Sequence, residues 1–505
     1  MLDLWLSGFL SLFQVQQLAF LALGMAVGLL FGAIPGLGGT TALALLVPMT
    51  YGLDSFSALA LAGGVMGAVP MGGMITAILL NTPGTAPNAA TCLDGYPLAQ
   101  QGKAGLAIGA GASANALGGI IGTISVLAVL PIAREIVLLF GPPEFFLLVI
   151  SGLIIVATTS QGKVLRGLLT GAFGLTLAFV GYSNVSGIER FTMGNFYLWD
   201  GIRLVPSLIG LFAIAEMINL SVKGGSIAGD AKNVKITNMS QGLLETFRHL
   251  GTVWRGSVIG TIVGAIPGIG GTVASFLSYS MTVQASKDPD SFGKGNIEGV
   301  IAPEAAINAK DGSMLIPTLA FGIPGSAEMA VFLGLLVLHG MQPGPLMLVE
   351  HQVEIYSLIW ALTASCVMAS FIGLALVRPL ARVTLLDTRI LVPVVVSIAM
   401  VGSYSVDQTI ENVIVTSLFG MIGYFMIRYD YPRLPFVVAL VLGEGTERYF
   451  HQSMLMSDGN WMIFFERRIC LILIASTAFL VFLPSIRAVF RKLRGTSRTA
   501  PGGRS

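Results

Sequence analysis

Two nine-residue segments hold the residues best suited to chemistry. Gly32-Ala33-Ile34-Pro35-Gly36-Leu37-Gly38-Gly39-Thr40 recurs as Gly264-Ala265-Ile266-Pro267-Gly268-Ile269-Gly270-Gly271-Thr272, with eight identities in nine. Each lies inside an apolar block. Proline lacks an N–H and clashes with the preceding turn, and glycine reaches backbone shapes that helices do not use. In hydrocarbon such a break persists only where protein buries it or where it lines a wet cavity. The helix restarting near Thr40 would aim free N–H groups and the positive end of its dipole at that cavity, which makes an anion site. Gly36, Gly38, Gly39, Thr40 and Thr41 are therefore candidate substrate ligands, with Gly268, Gly270, Gly271 and Thr272 in the second segment. Unwound carbonyls near Pro35 and Pro267 would suit a cation.

A second pair of breaks adds side-chain donors. Asn81-Thr82-Pro83-Gly84-Thr85 supplies amide and hydroxyl groups, and Pro324-Gly325-Ser326 matches its end, so Asn81, Thr82, Thr85, Gly325 and Ser326 join the candidates. The alternative is glycine used only for close helix packing, with the polar groups bonded back to their own helices. Between Pro303 and Ser313 the chain carries Glu304, Lys310 and Asp311. Buried in a membrane, such charges need partners and mark function by default. The Lys310–Asp311 pair fits an interfacial loop equally well. Glu304 and Asn308 share a helix face at i,i+4, and Asn308 is the better cavity candidate.

The chain around these segments has 505 residues, 54% hydrophobic and 11% charged, with a mean hydropathy of +0.81. Soluble chains are about 25% charged, so a polytopic membrane protein is the class that remains. Between Asp3 and Asp94 the only charged residue is Asp54, and charge-free runs cover 104–133, 167–188, 256–286, 355–377 and 469–486. At about 20 residues per crossing each run holds at least one helix. Continuous apolar blocks exclude a strand barrel, whose spans alternate. The net charge of +2 leaves no basic face for nucleic acid.

The two halves read as copies. Asp54-Ser55-Phe56 answers Asp290-Ser291-Phe292, Pro83-Gly84-Thr85-Ala86 answers Pro324-Gly325-Ser326-Ala327, and Pro131-Ile132-Ala133-Arg134 answers Pro379-Leu380-Ala381-Arg382. The order is collinear. Loop charge then sets orientation. Arg378, Arg382 and Arg389, then Arg428 and Arg433, then the tail from Arg487 favour the cytoplasm, with Asp407, Glu411, Glu444, Glu447 and Asp458 between them outside. In the first half Lys163 and Arg166 take the place of the acidic 407–411 loop, and Glu189 and Asp200 the place of Arg428 and Arg433. That reversal predicts an all-α polytopic protein of two inverted-topology repeats with broken or re-entrant helices. About eleven spans plus hairpins are expected. First-copy spans fall near 15–34, 104–130, 144–160, 165–182 and 201–222, with 36–50 and 58–92 as broken or re-entrant pieces. The units are 1–222, a polar cytoplasmic linker 223–255, 256–466, a last helix 467–486 and a basic cytoplasmic tail 487–505.

Other chemistry finds no support. No GxxxxGK[ST] segment binds ATP, Pro35 spoils any dinucleotide loop, and no nucleophile or carboxylate constellation stands out, so the chain reads as no enzyme. Cys92, Cys366 and Cys470 suggest small packing residues, and the four histidines lack metal-ligand spacing. The N-terminus has no basic n-region and reads as a retained interfacial or membrane segment.

On the twin GAIPG[LI]GGT segments, Leu80-Asn81-Thr82-Pro83-Gly84-Thr85-Ala86, Leu93-Asp94-Gly95-Tyr96-Pro97-Leu98-Ala99, and Leu315-Ile316-Pro317-Thr318 leading to Gly322-Ile323-Pro324-Gly325-Ser326, the chain resembles the large membrane subunit of tripartite tricarboxylate transporters, the TctA family. The resemblance covers essentially the whole length. It implies uptake of tricarboxylates or dicarboxylates across the bacterial inner membrane, driven by a Na⁺ or H⁺ gradient. The implied partners are a small membrane subunit of about four helices and a periplasmic solute-binding protein. The readings that compete with it are a stand-alone anion permease or an anion channel through the same dipole-lined pore.

Overall fold

The computed structural model describes residues 2–159, 164–183, 186–223, 236–344, 346–383 and 388–479. Among these the chain is helical, apart from β1 (Gly181–Tyr182) and β2 (Glu189–Arg190), which pair antiparallel with Gly181 opposite Arg190. The first half begins with α1 (Leu2–Ser11) and α2 (Val15–Ala33). Beyond the first glycine break lie α3 (Gly38–Leu46), a 3-10 turn over Val47–Thr50, and α4 (Ser55–Leu80). A second break passes a turn at Ala86–Asn88 and enters α5 (Ala89–Gln100), followed by α6 (Ala104–Leu138), α7 (Pro142–Thr159), α8 (Val164–Ala178) and α9 (Leu204–Lys223). The second half runs through α10 (Met239–Arg248), α11 (Leu250–Gly264), α12 (Gly270–Ala285), α13 (Glu298–Phe321) and α14 (Ala327–Leu338). It continues with α15 (Gln352–Ala375), α16 (Val377–Val383), α17 (Thr388–Asp407), α18 (Ile410–Arg428), α19 (Arg433–Met456) and α20 (Arg468–Phe479).

Among the described residues seven helices are long and apolar enough to cross a membrane: α2, α4, α6, α9, α15, α17 and α18. Five shorter apolar helices accompany them. The 24-residue α13 and α19 have the length but carry charge along it.

Several boundaries differ from the sequence expectation. The stretch 58–92, expected as broken or re-entrant, holds one continuous helix from Ser55 to Leu80 with Pro70 inside it, and only 81–88 is irregular. Asp54 starts that helix by accepting from Ser57 N at 3.0 Å, and Asn81 ends it at a left-handed φ of 53°. Pro70 lacks the N–H that would bond the Met66 carbonyl one turn earlier, while its own carbonyl takes a donor from outside the helix, Asn88 Nδ2 at 3.3 Å. The helix expected over 104–130 continues through Pro131 to Leu138. Of the expected linker, 224–235 falls outside the described residues, and the remainder from Met239 is helical. There α10 lies on α6, with Thr246 Oγ1 donating to the Ala110 carbonyl at 2.9 Å and Ser113 Oγ to the Leu243 carbonyl at 3.1 Å. Lys163, the end of the expected last helix beyond 479 and the tail 487–505 lie outside the described residues.

Small residues set the packing, as membrane helices require. Gly24, Gly28 and Gly32 bring α2 against the carbonyls of Leu61, Val65 and Val69 on α4, and a Cβ at Gly28 would stand 2.6 Å from the Val65 oxygen. Gly256, Gly260 and Gly264 bring α11 against Ala302, Ala306 and Lys310 on α13 with the same spacing of four. The halves also interlock. Gly63 and Gly67 of α4 meet Ala361 and Ser365 of α15, while Gly118 and Gly122 of α6 meet Ala305 and Ala309 of α13. Each central helix is thus clamped between a partner from its own half and one from the other.

Overpacking such a contact costs about 1–3 kcal/mol. Gly260→Leu, which drives a side chain into the Ala306 carbonyl, is expected to lower the thermal midpoint in detergent by several degrees. Gly251→Leu, on the same helix but facing open space, is expected to leave it in place.

Candidate substrate site

The four breaks open onto one cavity of about 850 Å³. Residues 36–41 and 268–273 form two of its walls, and 83–87 and 325–328 two more. The paired breaks share backbone geometry. Gly36 and Gly268 have φ of 88° and 78°, Gly38 and Gly270 have φ of 61° and 77°, and the caps of α4 and α13, Asn81 and Gly322, have φ of 53° and 69°. Only glycine adopts the first four without strain. The amino ends of α3, α12 and α14 therefore open toward the same space, each carrying unpaired N–H groups and partial positive charge.

Of the residues singled out in the sequence, Gly36, Gly38, Gly39, Thr40, Thr41 and Thr85 line the cavity from the first half, and Gly268, Gly270, Gly271, Thr272, Gly325 and Ser326 from the second. Ser326 Oγ caps α14 by accepting from Met329 N at 3.2 Å. Thr85 Oγ1 donates to Asn88 Oδ1 at 2.5 Å. Three candidates lie elsewhere. Asn81 is exposed beyond the end of α4, and Thr82 Oγ1 returns to its own backbone at the Leu80 carbonyl, 3.2 Å away. Asn308 is buried, but Nδ2 donates to Asn115 Oδ1 and Oδ1 accepts from Cys366 Sγ at 3.3 Å, so its amide is spent in a helix interface. Being one turn from a cavity-lining residue does not turn a side chain toward the cavity. Pro35 and Pro267, near which a cation site was expected, do not line it, and among the described residues no cluster of three or more His, Cys, Asp or Glu could hold a metal.

The structure adds charged groups to the site. Lys310 and Asp311, left open between cavity and loop, lie inside α13, form an ion pair with each other and are nearly fully buried, at 5% and 2% side-chain exposure. The Lys310 stem crosses Gly271, occupying the place a Cβ there would need. Glu328, at the start of α14, places Oε1 over Gly39 in the same way, and that buried oxygen has no hydrogen-bond partner. Arg433 completes the lining: its guanidinium lies 2.6 Å from Glu216 Oε1, donates to the Leu211 carbonyl at 3.0 Å and covers the Phe212 ring. Leu211 lies in the π-helical turn Ile209–Ile214 of α9, whose looser ladder leaves that carbonyl available.

A sequence signal for these charges existed. Pro83 and Pro324 match at an offset of 241 residues, and at that offset Lys310, Asp311 and Glu328 correspond to Val69, Pro70 and Pro87. The same three positions line the cavity from both halves, apolar in one and charged in the other. Glu328 is also the only Asp, Glu, Lys or Arg between Asp311 and Glu350.

A family model described as the tripartite tricarboxylate transporter TctA family matches residues 18–438. The chain belongs to the TctA family. This TctA-family chain is 33% identical over 486 residues to the "Uncharacterized 52.8 kDa protein in TAR-I ttuC' 3'region" of Agrobacterium vitis, covering 95% of this chain and 96% of that one. It is 32% identical over 232 residues to the "Uncharacterized protein in TAR-II ttuC' 3'region" of the same organism, covering 45% of this chain and 96% of that one. No solved structure matches it. The chain is thus the large multi-pass membrane subunit of a tripartite tricarboxylate transporter, and its family is one of transporters rather than enzymes.

Removing one partner of a buried ion pair leaves the other uncompensated, at about 3–5 kcal/mol. Lys310→Met is therefore expected to lower the thermal midpoint in detergent strongly, whereas Lys310→Met combined with Asp311→Leu recovers most of the loss.

Proposed function

We propose that this chain is the permease subunit that carries tricarboxylates or dicarboxylates inward across the bacterial inner membrane, driven by a Na⁺ or H⁺ gradient. The observation that carries the reading is the convergence of four helix breaks, with the amino ends of α3, α12 and α14, on one cavity crossed by the Lys310 side chain. Backbone N–H groups of 36–41 and 268–272, with the hydroxyls of Thr85 and Ser326, hold the carboxylates. Two such loops facing one another suit a molecule with carboxylates at both ends.

Charge favours coupling to a cation. The carboxylates lining the cavity are Glu216, Asp311, Glu328 and Asp430, against the cations Lys310 and Arg433. Helix amino ends add about half a charge each, so a substrate with two or three negative charges enters more easily with a cation beside it. Matched backbone geometry at the paired breaks and the interlocked central helices support two inverted repeats, with about eleven spans once shorter and charged helices are counted with the seven apolar ones. One repeat-built unit moves against the other to open the cavity to each side in turn. A small four-helix membrane subunit completes the permease, and a periplasmic binding protein delivers substrate.

Uptake of radiolabelled citrate or succinate into proteoliposomes tests this. Gly38→Leu and Gly270→Leu, each placing a side chain at positive φ on the cavity wall, are expected to reduce uptake to background while membrane insertion and elution volume persist. Full uptake by both variants overturns the site. Label that only equilibrates in the wild-type complex, whatever gradient is applied, identifies a channel.

A further inference from the structure

Directly behind the cavity lies a carboxylate with no counter-charge. Glu304, on α13, is completely buried, one turn before the cavity-lining Ile307 and two before Asp311 on the same face. Its Oε1 accepts from Asn88 Nδ2 at 3.0 Å and from Thr91 Oγ1, while its Oε2 is buried with no hydrogen-bond partner. No Lys, Arg or His among the described residues forms an ion pair with it. A single buried carboxylate in a membrane protein is too costly to stay bare and takes up a positive charge.

The neighbours indicate which charge. The groups that reach Glu304 are hydrogen-bond donors, the Asn88 amide and the Thr91 hydroxyl, with Asn115 of α6 also in reach. Among the described residues Glu304 belongs to no group of three or more His, Cys, Asp or Glu that could hold a metal, and its bare Oε2 leaves room for a proton. The Cys92 thiol of α5 is a titratable group close enough to feel the Glu304 charge. The ionisable groups on the surrounding helices are engaged elsewhere. Asp94 of α5 holds Tyr279 of α12 and the N–H groups of Gly295 and Asn296, and Cys366 of α15 bonds Asn308. Lys310 pairs with Asp311, Arg255 of α11 makes no ion pair with Glu304, and α4 carries no charge between Ser55 and Leu80.

A chain of hydrogen bonds joins this carboxylate to the cavity. Thr85, on the cavity wall, donates to Asn88 Oδ1, and Asn88 Nδ2 donates to Glu304. If the Thr85 hydroxyl turns to a substrate carboxylate, Asn88 Oδ1 loses its donor. The amide regains a partner by turning Oδ1 toward Glu304, giving up the Nδ2 bond to the Pro70 carbonyl, and this requires Glu304 to be a carboxylic acid that donates Oε2–H. Substrate therefore favours the proton and, by reciprocity, the proton favours substrate.

We propose that Glu304 binds the coupling proton, taken up from the outer medium as Glu304–COO⁻ + H⁺ → Glu304–COOH and released inside, with Thr85 and Asn88 as positioning residues that link it to substrate. The transport part rests on the carboxylate-permease reading. The proton site does not. Two measurements separate them, one on the full chain with its membrane partner and one on that complex supplied with its binding protein. In lipid, pH-difference infrared spectra of the wild type should show a buried carboxyl C=O band that E304Q lacks; a wild-type spectrum without it overturns the proposal. In proteoliposomes held at zero voltage, a one-unit pH gradient should accumulate citrate or succinate about tenfold for one proton, and E304Q should drop that ratio to about one while label still equilibrates. Retained accumulation by E304Q, or wild-type accumulation that follows a Na⁺ gradient and ignores pH, overturns it. If the wild type moves neither carboxylate but shows the infrared band, the permease reading falls and the proton site stands. The band should survive in T85V, whose accumulation ratio should drop toward one; a T85V ratio equal to wild type overturns the link.

Discussion

The constraint on which the rest of the molecule depends is the satisfaction of backbone polar groups where water is absent. A helix meets it within itself, and a helix that stops inside the apolar layer does not. This chain stops helices at four such places, at Pro35–Gly38, Asn81–Thr85, Pro267–Gly270 and Gly322–Ser326. The structure gathers all four around one cavity, so the exposed N–H groups face space where a ligand or water satisfies them. The glycine contacts between α2 and α4 and between α11 and α13 follow from the same requirement. They hold the helices that run into the first and third breaks tightly against the central helices α4 and α13.

Charge departs from the near-symmetry of the backbone. Lys310, Asp311 and Glu328 stand where the first half has Val69, Pro70 and Pro87, and Glu304 stands on the same charged helix. The paired glycines receive different groups. Gly39 lies under a carboxylate oxygen of Glu328, and Gly271 under the stem of Lys310. Two similar half-sites thus become one site with distinct ends.

Much of this was legible in the sequence because its signals were local. The break segments, their pairing and the apolar class follow from proline, glycine and absent charge, and twelve of the fifteen substrate candidates line the cavity. The remaining three show where locality ends. Asn81, Thr82 and Asn308 are polar residues close in sequence to the cavity, yet the turn after α4 sends the first two to solvent and to the Leu80 carbonyl, and the rotation of α13 sends Asn308 to Asn115. Glu304 and Asp311 were visible as charges, but their burial depends on α6 and α5 covering α13, which no window of sequence contains. The continuity of α4 through Pro70 was hidden for the same reason, since the contacts that hold α4 come from α2 and from the distant α15.

The central claim is that both glycine segments face one cavity that opens to one side at a time. Thr40 and Thr272 mark its two walls. Single cysteines at these positions, in a background with the half-buried Cys92 replaced, can be probed with a membrane-impermeant thiol reagent in right-side-out and inside-out vesicles. Both positions are expected to react from the same side under a given condition, and added citrate or succinate should slow both reactions together. Simultaneous labelling of Thr40→Cys from one side and Thr272→Cys from the other, with no effect of carboxylate on either, would contradict the account.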